Sequence, residues 1–253
     1  MGIPLLYPWA NRLGETRFEL AGREIDLKLA GLPLSHDDAG LPIHGLLAGA
    51  AGWRVERHEA TGDGGVLRAS FDFAAQPLLL EAFPFPHTLA IEATLRGATL
   101  RIETTVGADR GSKVPVAFGF HPYLQLPGTP RAQWQLEAPV SGLLELDGRM
   151  LPTGARRPGA IEPGALGERT LDDAFLAPAS GEPFALSDDK RRIELRMGEG
   201  YPFGQVYAPG DDDVVAFEPM TAPTNALVSG EDLPVVAAGA KLAASFEISV
   251  AAV

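Results

Sequence analysis

Alternation with a period of two runs through most of this chain, and such a pattern sends successive side chains to opposite faces of an extended strand. Phe18 and Leu20, then Ile25, Leu27 and Leu29, flank Ala21-Gly22-Arg23 and predict a hairpin. His87, Leu89, Ile91, Ala93 and Leu95 alternate with polar or small residues, and Leu100, Ile102, Thr104 and Val106 repeat the pattern after Arg96-Gly97. The tail Leu242, Ala244, Phe246, Ile248, Val250 alternates as cleanly and is expected to close a sheet. Further strands are expected around 53–59, 66–73, 114–120, 133–138, 192–197, 204–208 and 214–217. Punctuation by 29 glycines and 22 prolines suits many short strands rather than bundled helices. No helical period persists beyond about three turns. The Pro/Gly-rich stretch 151–167 reads as an excursion over the surface. The expected fold is all-β, a large antiparallel β-sandwich in a single domain over residues 1–253.

Composition narrows the function. A chain that is 45% hydrophobic can bury a sizeable core, yet no apolar run approaches the roughly 20 residues that span a bilayer, so no membrane partner is expected. The apolar opening Gly2-Ile3-Pro4-Leu5-Leu6 lacks a basic flank and is broken by proline, unlike a secretory signal, and a cytoplasmic location is the expectation. With no cysteine, disulfides, thiolate nucleophiles and Cys-ligated metals are excluded. A formal charge of −12 argues against nucleic acid and weakly against a strongly anionic substrate. No phosphate loop, dinucleotide fingerprint or Gly-x-Ser-x-Gly elbow occurs, and the histidines lack His-x-x-x-His spacing. Asp211-Asp212-Asp213, after Pro209-Gly210, reads as a solvated hairpin turn without the alternating spacing of a calcium loop. Neither a metal nor a cofactor is expected, and the oligomeric state is not legible.

Two residues carry the most chemistry. His121, in Phe118-Gly119-Phe120-His121-Pro122-Tyr123, and Glu218, in Phe217-Glu218-Pro219-Met220-Thr221, each follow a short apolar run and precede a proline, which is expected to end the strand there. A proton carrier with an ordinary pKa near neutrality and an acceptor-only carboxylate could converge on one cleft as acid and base. Each also has an ordinary reading: a packed or surface histidine, and a capping or turn glutamate. His44, beside Gly45, reads equally as a turn residue, and Arg12, after Asn11, as a surface arginine whose forked donors could hold hydroxyls. Asp172 and Asp173 are adjacent, so on a strand only one can enter a given pocket.

Taken in order, Pro8-Trp9-Ala10-Asn11-Arg12, Ile43-His44-Gly45, Gly119-Phe120-His121-Pro122-Tyr123, Leu171-Asp172-Asp173-Ala174-Phe175, Gln205-Val206-Tyr207 and Phe217-Glu218-Pro219-Met220-Thr221 resemble the aldose 1-epimerase (galactose mutarotase) family over nearly the whole chain. The resemblance implies a galactose mutarotase-like β-supersandwich that opens the pyranose ring of a free sugar and recloses it on either face, without a cofactor. It implies Glu218 as the base at the anomeric hydroxyl and His121 as the acid at the ring oxygen, on opposite sides of the C1–O5 region. His44 would orient the sugar or assist near the ring oxygen, and Arg12, Asn11, Asp172 and Gln205 would bind substrate. Trp53 or Phe203 could wall the sugar ring, though a core position suits either.

Two departures bear on this. Relatives carry several strands before the Asn-Arg segment, which here begins at residue 7, so the sheet is expected to be shortened at its N-terminal edge or the start to be placed late. Asp173 stands where many relatives have histidine. A hexose-6-phosphate epimerase would use the same acid and base with a cationic clamp, for which Arg54, Arg110 and Lys113 are the candidate sources. A non-catalytic sugar-binding module on the same scaffold is the third reading.

Overall fold

In the computed structural model, which describes residues 2–28, 31–32 and 34–253, the alternating segments pair into two large antiparallel sheets. The nine-stranded sheet runs, in spatial order, Ile161–Ala165, Gln135–Ala138, Phe184–Ser187, Arg191–Met197, Lys241–Ala252, Thr99–Ala108, His87–Arg96, Gly64–Asp72 and Arg54–Thr61. The eight-stranded sheet runs Leu5–Leu6, Gly119–Phe120, Val215–Met220, Phe203–Ala208, Leu171–Leu176, Gly142–Leu146 and Pro152–Arg157, with Tyr123–Leu124 also paired to Val215–Met220. The hairpins expected around Gly22 and Gly97 form at Arg17–Leu20/Arg23–Asp26 and His87–Arg96/Thr99–Ala108. Leu29 lies outside the described residues.

Alternation places the core between the sheets. Phe175, Val206 and Phe217 of the eight-stranded sheet are buried with Leu89, Val106 and Phe246 of the nine-stranded sheet in one cluster. Removing each such side chain from water contributes roughly 1.5–3 kcal/mol. Residues one or three steps along the same strands, Ala174, Phe203 and Met220, point to the opposite face and join Leu6, Ala10 and Leu144 in a smaller cluster. That second face carries the candidate site.

Three expectations need correction. The stretch 151–167 is no mere surface excursion: Pro152–Arg157 and Ile161–Ala165 are the outermost strands of the two sheets, and so join one sheet to the other. An edge strand needs a ladder on one side only, so it accommodates the prolines and glycines that suggested a loop. The strand expected over 114–120 is split into Val114–Pro115 and Gly119–Phe120. Between them, Val116 and Ala117 bond instead to Pro234 and to the Trp9-Ala10 segment. Finally, Pro219 does not end its strand, which continues to Met220. On one side Val215–Met220 pairs with Phe203–Ala208, but on the other the ladder skips Phe217, Glu218 and Pro219, so a missing N–H is tolerated there.

Candidate active site

That interruption in the ladder sets the geometry. Gly119 faces Met220 and Tyr123 faces Ala216, and both pairs keep the same register. His121, midway between Gly119 and Tyr123, therefore stands opposite Glu218. On the other side Glu218 pairs with Gln205, and Gln205 with Ala174. Directly opposed residues share a face, so His121, Glu218 and Gln205 form a row, with Tyr123, Tyr207 and Asp172 in the next row. Gly119 permits the close approach, since a Cβ there would lie 2.6 Å from the Pro219 carbonyl oxygen.

The imidazole Nε2 of His121 is 3.3 Å from Glu218 Oε1. The His121 ring stacks on Tyr123 at 4.3 Å and meets Tyr207 and His44 edge-on, both at 5.6 Å. Gln205 Nε2 donates to Asp172 Oδ1 at 2.6 Å. The side chains of Glu218 and His121 are almost wholly buried, yet Glu218 Oε2, His121 Nδ1, His44 Nδ1 and Gln205 Oε1 have no hydrogen-bond partner among the described residues. Buried polar atoms without partners are costly, and a cluster of them around one acid and one base marks a place for a polar ligand.

Burial pushes the Glu218 carboxyl well above the usual carboxylate range, Asp172 adds to the shift, and Arg12 opposes it. Burial also lowers the pKa of His121, with the pull of its own backbone carbonyl opposing the shift. His44 falls to about 4 through burial, then through His121 and Arg12. The resemblance implies an anionic Glu218 and a protonated His121 on opposite sides of the C1–O5 region. They stand side by side instead, and burial favours a neutral imidazole beside a protonated carboxyl.

The remaining walls come from the N-terminal segment. Asn11 and His44 both adopt left-handed backbone conformations, with φ of 56° and 65°. The His44 N–H donates to the Asn11 carbonyl, and Leu46 N–H to that of Tyr7. Gly45, at φ 75°, faces Tyr7 so closely that a Cβ would lie 2.1 Å from the Tyr7 carbonyl oxygen. Arg12 donates from Nη1 to Asn11 Oδ1 at 3.0 Å and from Nε to Asp37 Oδ2 at 2.8 Å, and its Nη2 is 3.5 Å from Asp172 Oδ2. Asn11, Arg12, His44, His121, Asp172, Gln205 and Glu218 thus lie in one contiguous network.

Strand alternation separates the two aspartates. Asp172 lies on the face of Gln205 and Glu218, and Asp173 opposes Val206 on the reverse face. Burial raises the pKa of Asp173, Asp172 adds to it, and Arg157 and Arg169 oppose it. Phe203 lies on the candidate-site face in the smaller cluster, whereas Trp53 packs on Phe71. Of the suggested phosphate-clamp residues, Arg54 pairs with Glu56 in the nine-stranded sheet and Arg110 packs at Gly239. Asp37 was not anticipated. Asp37-Asp38-Ala39-Gly40 signals a turn, but an ion pair to a residue 25 positions earlier leaves no local trace.

The family model for aldose 1-epimerase matches residues 2–249. The chain belongs to the aldose 1-epimerase family. A curated relative, the Escherichia coli (strain K12) protein YihR, is 22% identical over 249 residues, covering 93% of this chain and 74% of its own. Among solved structures, a galactose mutarotase-like protein from Clostridium acetobutylicum is similar at a TM-score of 0.85 and 16% identity, covering 100% of this chain and 80% of its own. A galactose 1-epimerase from Lactobacillus acidophilus gives a TM-score of 0.74 at 14% identity, covering 98% and 79%. The galactose mutarotase-like fold and the family are thereby shown. The eight-stranded sheet of this family member begins at a two-residue strand, Leu5–Leu6, paired to Gly119–Phe120.

Proposed function

We propose that the protein interconverts the α and β anomers of a free, uncharged aldose by acid/base ring opening and closure. The observation that carries this reading is the 3.3 Å contact of His121 with Glu218, both buried and both with an unpaired polar atom. The anomeric hydroxyl oxygen and the ring oxygen are bonded to the same carbon, so an acid and a base that serve both must be neighbours. Side-by-side placement suits that requirement better than the opposed arrangement first expected.

Glu218 accepts the proton of the C1 hydroxyl while His121 donates one to the ring oxygen. The C1–O bond of the ring breaks, a carbonyl forms at C1, and rotation about C1–C2 presents its other face. Reclosure reverses both proton transfers. The pair carries one proton whether it sits on the carboxyl or on the imidazole. Moving it from Glu218 to His121 arms both groups with no exchange with solvent. Sugar hydroxyls supply the partners that Glu218 Oε2 and Gln205 Oε1 lack, and so favour the charge-separated form. Arg12, Asn11, Asp172 and Gln205 hold hydroxyls, and His44 orients the ring. An acid and a base so placed contribute roughly 10²–10⁴-fold each.

A phosphosugar substrate gains no support from the placement of Arg54 and Arg110. The test follows anomeric exchange of freshly dissolved α-galactose and α-glucose by NMR. Acceleration that Glu218→Gln abolishes is the expected result. Saturable binding without acceleration would make this a sugar-binding module, and acceleration untouched by the substitution would remove Glu218 from the mechanism.

A further inference from the structure

Asp37 is held before it meets Arg12. Its Oδ1 accepts the N–H of Ala39 at 3.0 Å and of Leu41 at 2.8 Å, and its own N–H donates to the Leu41 carbonyl. Oδ2 is thereby aimed at Arg12 Nε, 2.8 Å away, with both side chains largely buried. The same turn leads through Pro42-Ile43, which pairs with Ser35-His36, directly into His44. Burial would raise the pKa of Asp37, but the Leu41 N–H and the Arg12 guanidinium outweigh it and keep the carboxylate charged.

The guanidinium meets Asp37 at Nε, Asp172 at Nη2 and Asn11 at Nη1. Part of its donor set remains uncommitted and can still reach a hydroxyl. Its charge, however, is already matched by two carboxylates, and Glu218 stands beyond them. Among the described residues no other Arg or Lys makes a recorded ion pair or hydrogen bond with Asp172, Gln205, Glu218, His121 or His44. Arg157 and Arg169 act on Asp173, on the reverse face.

We propose that Asp37 is a positioning residue that fixes the Arg12 guanidinium and cancels its charge, so that the site selects uncharged sugars over sugars bearing a carboxylate or phosphate. This rests on the proposed anomerase activity, and goes beyond it in naming what sets the charge preference. A hydroxyl needs an aimed N–H and no net charge. An anionic substituent needs an uncompensated cation, and here it meets carboxylates instead.

Asp37→Asn tests this, because the amide oxygen can still accept from Ala39 and Leu41 and keep the turn while the charge is lost. Asp38→Asn, at an exposed neighbour, makes the same change in net charge and serves as control. Anomer exchange and calorimetric binding are measured for galactose and galacturonate, which differ by a carboxylate at C6. In Asp37→Asn, kcat/KM for galactose is expected to fall about tenfold, chiefly through KM, while the galacturonate-to-galactose ratio rises about tenfold. Asp172→Asn, which strips the other carboxylate from Arg12, should move that ratio the same way, and Asp38→Asn should leave it fixed.

A merely structural ion pair predicts equal losses on both sugars. An unmoved ratio in Asp37→Asn overturns the inference, as does a wild-type protein that takes galacturonate as readily as galactose. Should wild type accelerate no aldose, the anomerase reading fails and the calorimetric ratio alone decides this one. No binding of either sugar by any of these proteins overturns both.

Discussion

His121 and Glu218 face each other across a skipped rung of the eight-stranded sheet, their nearest side-chain atoms 3.3 Å apart. The skip is what makes the pair usable. Continuous pairing would bring strand backbone along all of Val215–Met220, whereas the break at His121-Pro122 leaves Phe217, Glu218 and Pro219 unpaired on that side and opposes an imidazole to a carboxyl. Replacing Glu218 by Gln keeps the shape and removes the base. We expect kcat for anomeric exchange to fall about 10²–10⁴-fold with little change in KM, read by NMR exchange. A wild-type kcat in that variant would show that the carboxylate takes no proton.

The same pair makes stability depend on pH in opposite senses. His44 and His87 have pKa values near 4 through burial, and the unfolded value is 6.5, so the unfolded chain binds protons that the folded chain refuses between those limits. His121 is shifted in the same direction. Stability from these groups is present above the upper limit and lost as pH falls, by up to about 1.4 kcal/mol per pH unit for each. Glu218 acts in reverse: its folded pKa is raised, so its contribution declines as pH rises above 4.5. Glu218→Gln is therefore expected to gain more stability than wild type between about pH 5 and about pH 6.5 in urea unfolding. Identical pH slopes for the two proteins would contradict the assigned shifts.

Gly45→Ala is expected to destabilise the protein by about 3 kcal/mol or more, because it combines a left-handed backbone with a Cβ thrust into the Tyr7 carbonyl. The loop that carries His44 cannot relax without releasing the Leu46 bond to that carbonyl. Chemical denaturation measures the loss, and an unchanged midpoint would mean that the loop accommodates a side chain.

Asp172 and Asp173 separate by face. Asp172→Asn keeps an amide oxygen for Gln205 but takes the carboxylate from Arg12 and turns an amide NH2 toward its guanidinium, and is expected to lower kcat/KM on a neutral aldose by about tenfold or more. Asp173→Asn relieves a half-buried acid on the reverse face and should leave kcat/KM within about twofold of wild type. Steady-state kinetics on the two variants decide it, and the opposite ranking would reverse the register assigned to Leu171–Leu176.

Period-two alternation by itself determined the all-β architecture, because a strand with one buried face must repeat apolar residues at every second position. Short motifs around Arg12, His44, His121 and Glu218 were enough to indicate the family, since the side chains that would do its chemistry allow little variation. Strands at the sheet edges were hidden in a Pro/Gly-rich stretch, where exposure removes the alternating signal. The tertiary structure alone decided that Asp172 rather than Asp173 turns toward Glu218, that His121 stands beside the carboxylate, and that Asp37 grips Arg12. These are contacts between segments far apart in the chain, fixed by sheet register and turn geometry, and no local pattern of residues encodes them.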